Sequence, residues 1–290
     1  MEASLRHAAC FYNEAEPGHR LRSLPLLLAV TLAAPALTRA QTGPFLTEEA
    51  TTAPARRLRL EASAAFISDE PSFLTGLERD RWEAPALRLV YSPADVVEID
   101  VEWVGCVIAV NDPTFGTAAS FGDLSLRTKL LLLEETPERG AVAARFEVTL
   151  PEASAEKGLG PNALRVSVQM LSTRTLGRLV VDLNAGIAIH DAPTQSGVQA
   201  DFFDYGVALR RPLGTGLEAG VEVSGRFGHP EPGAEETSEV RLGIRYGAGR
   251  TLWHAALSHG LTYADGTWGF TIGLTWTARE GRAVAPGGDA

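Results

Sequence analysis

Cysteine is nearly absent: two occur in 290 residues, and Cys10 precedes the apolar run that marks an export signal. Cys106 is then the one cysteine expected in the mature chain, so a disulfide framework is excluded even though export would permit one. Long hydrophobic runs are equally scarce. After residue 40 no stretch reaches the roughly 18 consecutive apolar residues of a membrane helix. HExxH, clustered cysteines, a glycine-rich phosphate loop and GxSxG are all missing, so no cofactor and no metal is expected and nothing couples a nucleotide to movement. Positive charge is short as well. The chain carries 26 basic against 36 acidic residues, and taking away the four basic and three acidic ones of residues 1–40 leaves 22 against 33, a net −11. Phosphates would be repelled, and no basic patch interleaved with aromatics offsets this, so a nucleic-acid partner is not expected.

What is present begins with a processing signal. Arg20 and Arg22 precede LPLLLAVTLAAPAL, and Ala34-Pro35-Ala36 or Thr38-Arg39-Ala40 offers a cleavage site. Residues 1–40 are therefore expected to be leader and signal peptide, 41–56 an N-terminal periplasmic segment, 57–278 the folded domain and 279–290 a flexible tail.

From Arg57 onward, alternating runs recur, with turn residues between them. They fall at 57–67, 84–92, 95–108, 120–134, 139–150, 161–172, 176–190, 199–211, 215–228, 236–247, 250–263 and 266–278. The last run places Trp268, Phe270, Ile272, Leu274 and Trp276 on one face and Thr271, Gly273 and Thr275 on the other. Many runs reach the roughly ten residues of a tilted membrane strand, where a globular strand averages about five or six. Aromatics such as Trp103, Phe146, Phe227, Trp253, Trp268 and Trp276 lie on the apolar face, several near run ends, as in an interfacial girdle.

The connections alternate too. Short ones contain Ser92-Pro93-Ala94, Thr136-Pro137-Glu138, Thr173-Arg174-Thr175, Pro212-Leu213-Gly214 and Gly247-Ala248-Gly249, and mostly longer ones span 68–82, 111–119, 151–160, 191–198 and 228–234. Asp265-Gly266 reads as one tight external turn. Together these features predict an all-β fold: a closed antiparallel transmembrane β-barrel of about 12 strands, with short periplasmic turns and longer external loops, in the cell outer membrane. An open edge would leave backbone groups unpaired in hydrocarbon, so the first and last strands should pair.

The polar face is expected to line the lumen with Glu98, Asp100, Glu102, Asp123, Arg127, Lys129, Arg145, Glu147, Arg165, Arg178, Asp182, Asp204, Arg210, Glu218, Glu222, Arg226, Glu239, Arg241 and Arg245. Basic positions opposed to the Glu98–Asp100–Glu102 stripe would set a field across the bore. That stripe could hold a divalent cation, but carboxylates on a hydrated face more often meet arginines. His190, His254 and Ser258 share the inward face. They raise a hydrolytic alternative, although no local spacing defines such a site. Further alternatives are a structural barrel with a sealed lumen and a soluble periplasmic β-protein.

Three stretches carry a resemblance: FGDLSLRTKLLLLEE at Phe121 to Glu135, ARFEVTLPEASAEKGLGPNALRVSVQML at Ala144 to Leu171, and GRLVVDLNAGIAI at Gly177 to Ile189. With Gly122, Asp123, Leu124, Lys129, Leu150, Pro151, Asn184 and Gly186 at the matching positions, the chain resembles the transporter-like outer-membrane family of the phenol-degradation meta-pathway. The resemblance implies an outer-membrane barrel that takes up small aromatic or otherwise hydrophobic compounds and has no catalytic residues; the barrel reading itself adds passive passage of small solutes, with outer-membrane lipids and the barrel-insertion machinery as partners. Barrels of this kind commonly end in an aromatic residue. Here the chain runs on past Ala278, so Trp276 would have to serve that role internally.

Overall fold

A computed structural model describes residues 43–191 and 197–278. The leader call on 1–40 and the tail call on 279–290 lie outside the described residues. Fourteen strands form one sheet: β1 (Arg57–Pro71), β2 (Glu78–Ala94), β3 (Val97–Val104), β4 (Val107–Asp112), β5 (Gly116–Ser120), β6 (Leu124–Leu133), β7 (Ala141–Leu150), β8 (Arg165–Leu176), β9 (Leu179–Asp191), β10 (Gln199–Gly214), β11 (Leu217–Gly228), β12 (Thr237–Ala248), β13 (Thr251–Gly260) and β14 (Trp268–Thr277). All pairings are antiparallel, and β1 pairs with both β2 and β14, from Arg59↔Thr277 to Ile67↔Gly269. Twelve strands thus close a ring, β1, β2, β3 and β6 to β14, which is the expected barrel.

The remaining two strands, β4 and β5, continue β3 and β6 beyond a break at residues 105–106 and 121–123. They pair with each other, and β4 pairs with the first residues of β2. With the ends of β1 and β2 they raise one side of the wall above the rest of the rim. Most of 68–82, expected as a loop, is therefore ladder, and only residues 72–77 turn. The connection 151–164 packs against this tall section. Leu159 is fully buried with Val107, Ala109 and Ala118, and Arg79 donates to the Gly158 carbonyl and pairs with Asp112 at 3.3 Å.

Four short turns sit two to four residues later than the sequence suggests, at 95–96, 177–178, 215–216 and 249–250. Gly177, Thr215, Gly216 and Gly249 supply the positive φ angles at the last three. The Asp265-Gly266 tight turn is not formed. Residues 261–267 make a longer connection with one helical turn, Tyr263–Asp265, and Asp265 accepts from the backbone N–H of Thr262 and of Ser238. Cys106 is buried in the break between β3 and β4.

The two faces of the wall have opposite character. Outward lie Ile187, Leu242, Leu257 and Ile272, each more than half exposed, while Asp182, Glu222, Glu98 and Arg210 are buried inside. Burying an aliphatic side chain is worth about 1.5–3 kcal/mol, so a wall of exposed ones facing water is unfavourable and one facing hydrocarbon is not. Toward the long-loop rim, Phe66, Trp82 and Phe270 cluster with centroids 4.7–5.5 Å apart. Tyr205 reaches across Gly225 to Ser238 at 2.8 Å on the same outer face.

Candidate functional site: a plugged, ion-paired lumen

Residues 43–55, expected in the periplasm, run through the bore. This segment, GPFLTEEATTAPA, has no strand periodicity and takes no place in the ladder. At the short-turn rim the N–H of Arg56 bonds to the Ser92 carbonyl at 2.6 Å and that of Ala55 to Asp95 at 2.7 Å. Further in, the N–H of Ala53 donates to Glu98 at 2.8 Å and that of Ala50 to Thr173 Oγ1 at 2.8 Å. At mid-bore, Glu222 accepts from the N–H groups of Leu46 and Thr47 at 3.0 and 2.6 Å, and Arg241 holds the Pro44 carbonyl at 3.0 Å.

The wall is hollowed to receive it. A methyl on Gly243 would lie 2.5 Å from Pro44 Cγ, and one on Gly206 2.5 Å from Thr47 Oγ1. Ala50 packs against Ala141, Ala143 and Leu171. Inward glycines and alanines thus provide the room that a second strand of backbone requires.

Two carboxylates pin the segment electrostatically. Glu48 pairs with Arg88 at 2.7 Å and Arg145 at 3.4 Å, and Glu49 with Arg210 at 2.9 Å and Arg245 at 3.4 Å. Burial raises the pKa of Glu49, but Arg210 and Arg245 outweigh it and bring the carboxyl down to about 2. Glu48 is likewise held well below the usual carboxylate range, burial being outweighed by Arg88 and Arg145.

Most sequence-predicted lining residues meet one another across adjacent strands. Glu98 binds Lys129 at 2.7 Å and Arg59 at 2.8 Å, and Asp100 binds Arg88 at 3.0 Å and Arg127 at 3.3 Å. Arg127 also pairs with Glu102 and, like Arg145, with Glu147. Arg210 links Asp182 at 2.6 Å to Glu218 at 3.2 Å, and Arg245 also meets Glu218. Arg241 pairs with Glu239 at 2.7 Å, and Arg165 with Asp204 at 2.8 Å. Charges are therefore interleaved and locally neutralised, not segregated into a field across the bore. The Glu98–Asp100–Glu102 stripe is taken up by cations of the protein itself.

Two residues are misplaced by the sequence reading. Arg178 sits exposed in the turn after β8, because that turn comes later than expected. Asp123 lies in the break between β5 and β6, where it accepts from the N–H groups of Glu152 and Ala153 at 3.0 and 3.1 Å and ties the 151–164 connection down. Ser258 and His254 do face inward, but four residues along one strand separate their backbones by about 13 Å, and His254 packs against Gly43 and 3.7 Å from Glu61. Arg59 and Arg88, inward on β1 and β2, complete the ion pairs.

Above the plug a cavity of about 310 Å³ remains, floored by Phe45, Leu46, Thr47 and Glu48 and walled by Arg88, Arg127, Arg145, Arg165, Arg226, Gln169, Ser224 and Thr237 among others. Asp265 marks its outer limit on the long-loop side. No residue of 151–160 lines it; that connection braces the tall section instead.

No family model matches the chain, and no curated protein matches it. Among solved structures it is similar to an outer-membrane channel from Pseudomonas putida F1, with 15% identity, 82% of this chain and 100% of that one covered, and a TM-score of 0.61. A KdgM porin in complex with disordered oligogalacturonate gives 8% identity, coverage of 76% and 99%, and a TM-score of 0.50. At these identities the likeness concerns the fold alone, a closed antiparallel β-barrel of the outer-membrane type.

Proposed function

We propose that this chain is an outer-membrane channel for small solutes, closed in the described state by its own N-terminal segment and opened when residues 43–55 leave the bore. The observation that carries this reading is a continuous ladder with a lipid-compatible exterior, around a polar chamber that ends on a segment taking no place in the ladder. The inward glycines Gly206 and Gly243 shape the wall to a segment that is not itself part of the ladder. Movement through it is downhill diffusion, because the fold offers ion pairs and hydrogen-bonding groups and no nucleotide loop.

The outer membrane supplies its lipid partners, and the insertion machinery places it there. Aromatic or hydrophobic cargo is suggested by the family resemblance alone. The chamber adds a condition: its wall is mostly charged, with Leu46 as the principal exposed apolar surface, so a permeant molecule should carry a polar or ionised group. The sealed-barrel alternative shares the plug and differs in whether it ever leaves.

Planar-bilayer recording of the full chain and of a variant lacking residues 43–55 tests the proposal. The deletion should give long-lived stepwise conductance where the full chain conducts rarely. A correctly folded deletion variant, judged by its heat-dependent gel shift, that remains silent would refute it.

A further inference from the structure

Three strands of the chamber wall bring together Arg165, Asp204 and Arg226, and their charges do not balance. Asp204 stands directly across the ladder from Arg226, the position at which a cross-strand ion pair would form. The pair is not made. Asp204 Oδ2 instead accepts from Arg165 Nη2 at 2.8 Å and Gln169 Nε2 at 3.0 Å. Arg226 donates its Nε to the Glu235 carbonyl at 2.8 Å and stacks its guanidinium over Phe202 at 5.1 Å.

Among the described residues Arg226 has no carboxylate partner. The other acids of the chamber are committed: Glu48 to Arg88 and Arg145, Glu102 and Glu147 to Arg127, Glu239 to Arg241, and Asp265 to backbone N–H groups. Of the two guanidiniums at the edge of this half-open cavity, Arg165 therefore holds the carboxylate and Arg226 is left without one. Arg165 Nε is also buried without a hydrogen-bond partner.

A guanidinium held in place by its Nε and by an aromatic face still offers two terminal nitrogens in a fixed plane, which matches the two oxygens of a carboxylate. Beneath it, Leu46 is 54% exposed on the chamber floor. Leu46 is anchored at Glu222, four residues below Arg226 on β11, a strand rise of about 13 Å. Side chains reaching in from both ends leave room for a short hydrocarbon chain. We infer that Arg226, with Arg165 beside it, binds the carboxylate of a small monocarboxylic solute whose apolar part rests on Leu46. This inference deepens the channel reading and takes its physiological sense from it.

Calorimetric titration of the full-length barrel in detergent with sodium butyrate tests the site, with 1-butanol and n-butylamine as neutral and cationic controls. Butyrate should bind saturably and both controls should not. Arg226→Gln should weaken butyrate at least tenfold, Arg178→Gln in the exposed turn should leave it unchanged, and Asp204→Asn, which removes the competing carboxylate, should tighten it. Folding of each variant is checked by heat-dependent gel shift, and Asp204→Asn keeps the test alive if Arg226→Gln does not fold. Equal binding of butanol, an Arg226→Gln barrel that binds like wild type, or no saturable butyrate signal overturns the site. A barrel that conducts without residues 43–55 yet ignores butyrate loses the site and keeps the channel; one that binds butyrate and never conducts keeps the site and loses the channel.

Discussion

Neutralising the two plug carboxylates, Glu48→Gln with Glu49→Gln, should open the barrel without changing its wall. Each carboxylate contacts two arginines, but none of the four is stranded by the change. Arg88 keeps Asp100, Arg145 keeps Glu147, Arg210 keeps Asp182 and Glu218, and Arg245 keeps Glu218. The loss per site therefore falls at the low end for a charge-assisted hydrogen bond, about 1.5 kcal/mol, and about 3 kcal/mol for both. That shifts the closed-to-open ratio by on the order of 100-fold. The backbone anchors at Glu222, Glu98 and Thr173 remain, so the variant should flicker to the same maximal conductance as the barrel lacking residues 43–55 rather than stay open. Single-channel recording gives the open probability directly. An open probability equal to wild type, in protein whose heat-dependent gel shift is intact, would show that the ion pairs do not hold the plug.

Two further outcomes follow from the same geometry. Gly243→Val should expel the segment by steric conflict with Pro44 and Phe45 and raise the conductance of an otherwise intact barrel; unchanged closure would mean that the segment does not lie where it is described. In acid, Glu49 contributes its full stabilisation above its ordinary pKa of 4.5, and that contribution is lost as pH falls through 4.5 toward about 2. Open probability should then stay flat from about pH 7 to about pH 5 and rise below about pH 4, and a rise that is already complete at pH 5 would contradict the assignment.

The sequence shows the wall because a strand writes its two faces as a period of two, and Leu183, Ile187, Leu242 and Ile244 kept that period without interruption. Strand ends were less legible: the ladder runs on through Thr173, Arg174 and Leu213, which read as turn residues, until glycines or a positive-φ Thr215 stop it. The tall section was hidden because its breaks at 105–106 and 121–123 interrupt the alternation. The plug left no periodic trace at all. Its signal is a deficit elsewhere: Arg145 faces Lys129 and Gln169 in the ladder, with no carboxylate directly across on either neighbouring strand. The adjacent pair Glu48-Glu49, just ahead of the first strand, is the complement that such a count would have sought.

Spin labels placed one at a time distinguish a lipid-facing exterior from a dry core most directly. In a background with Cys10 and Cys106 replaced by Ser, labels at Ile187, Leu242 and Leu257 in reconstituted vesicles should be reached by oxygen dissolved in the bilayer and shielded from a water-soluble nickel chelate. Labels at Gln169 and Ser224, which face the chamber, should show the reverse. If the aliphatic positions are shielded from both probes, or are reached by the nickel chelate, the outward aliphatics do not meet hydrocarbon and the barrel does not span a membrane.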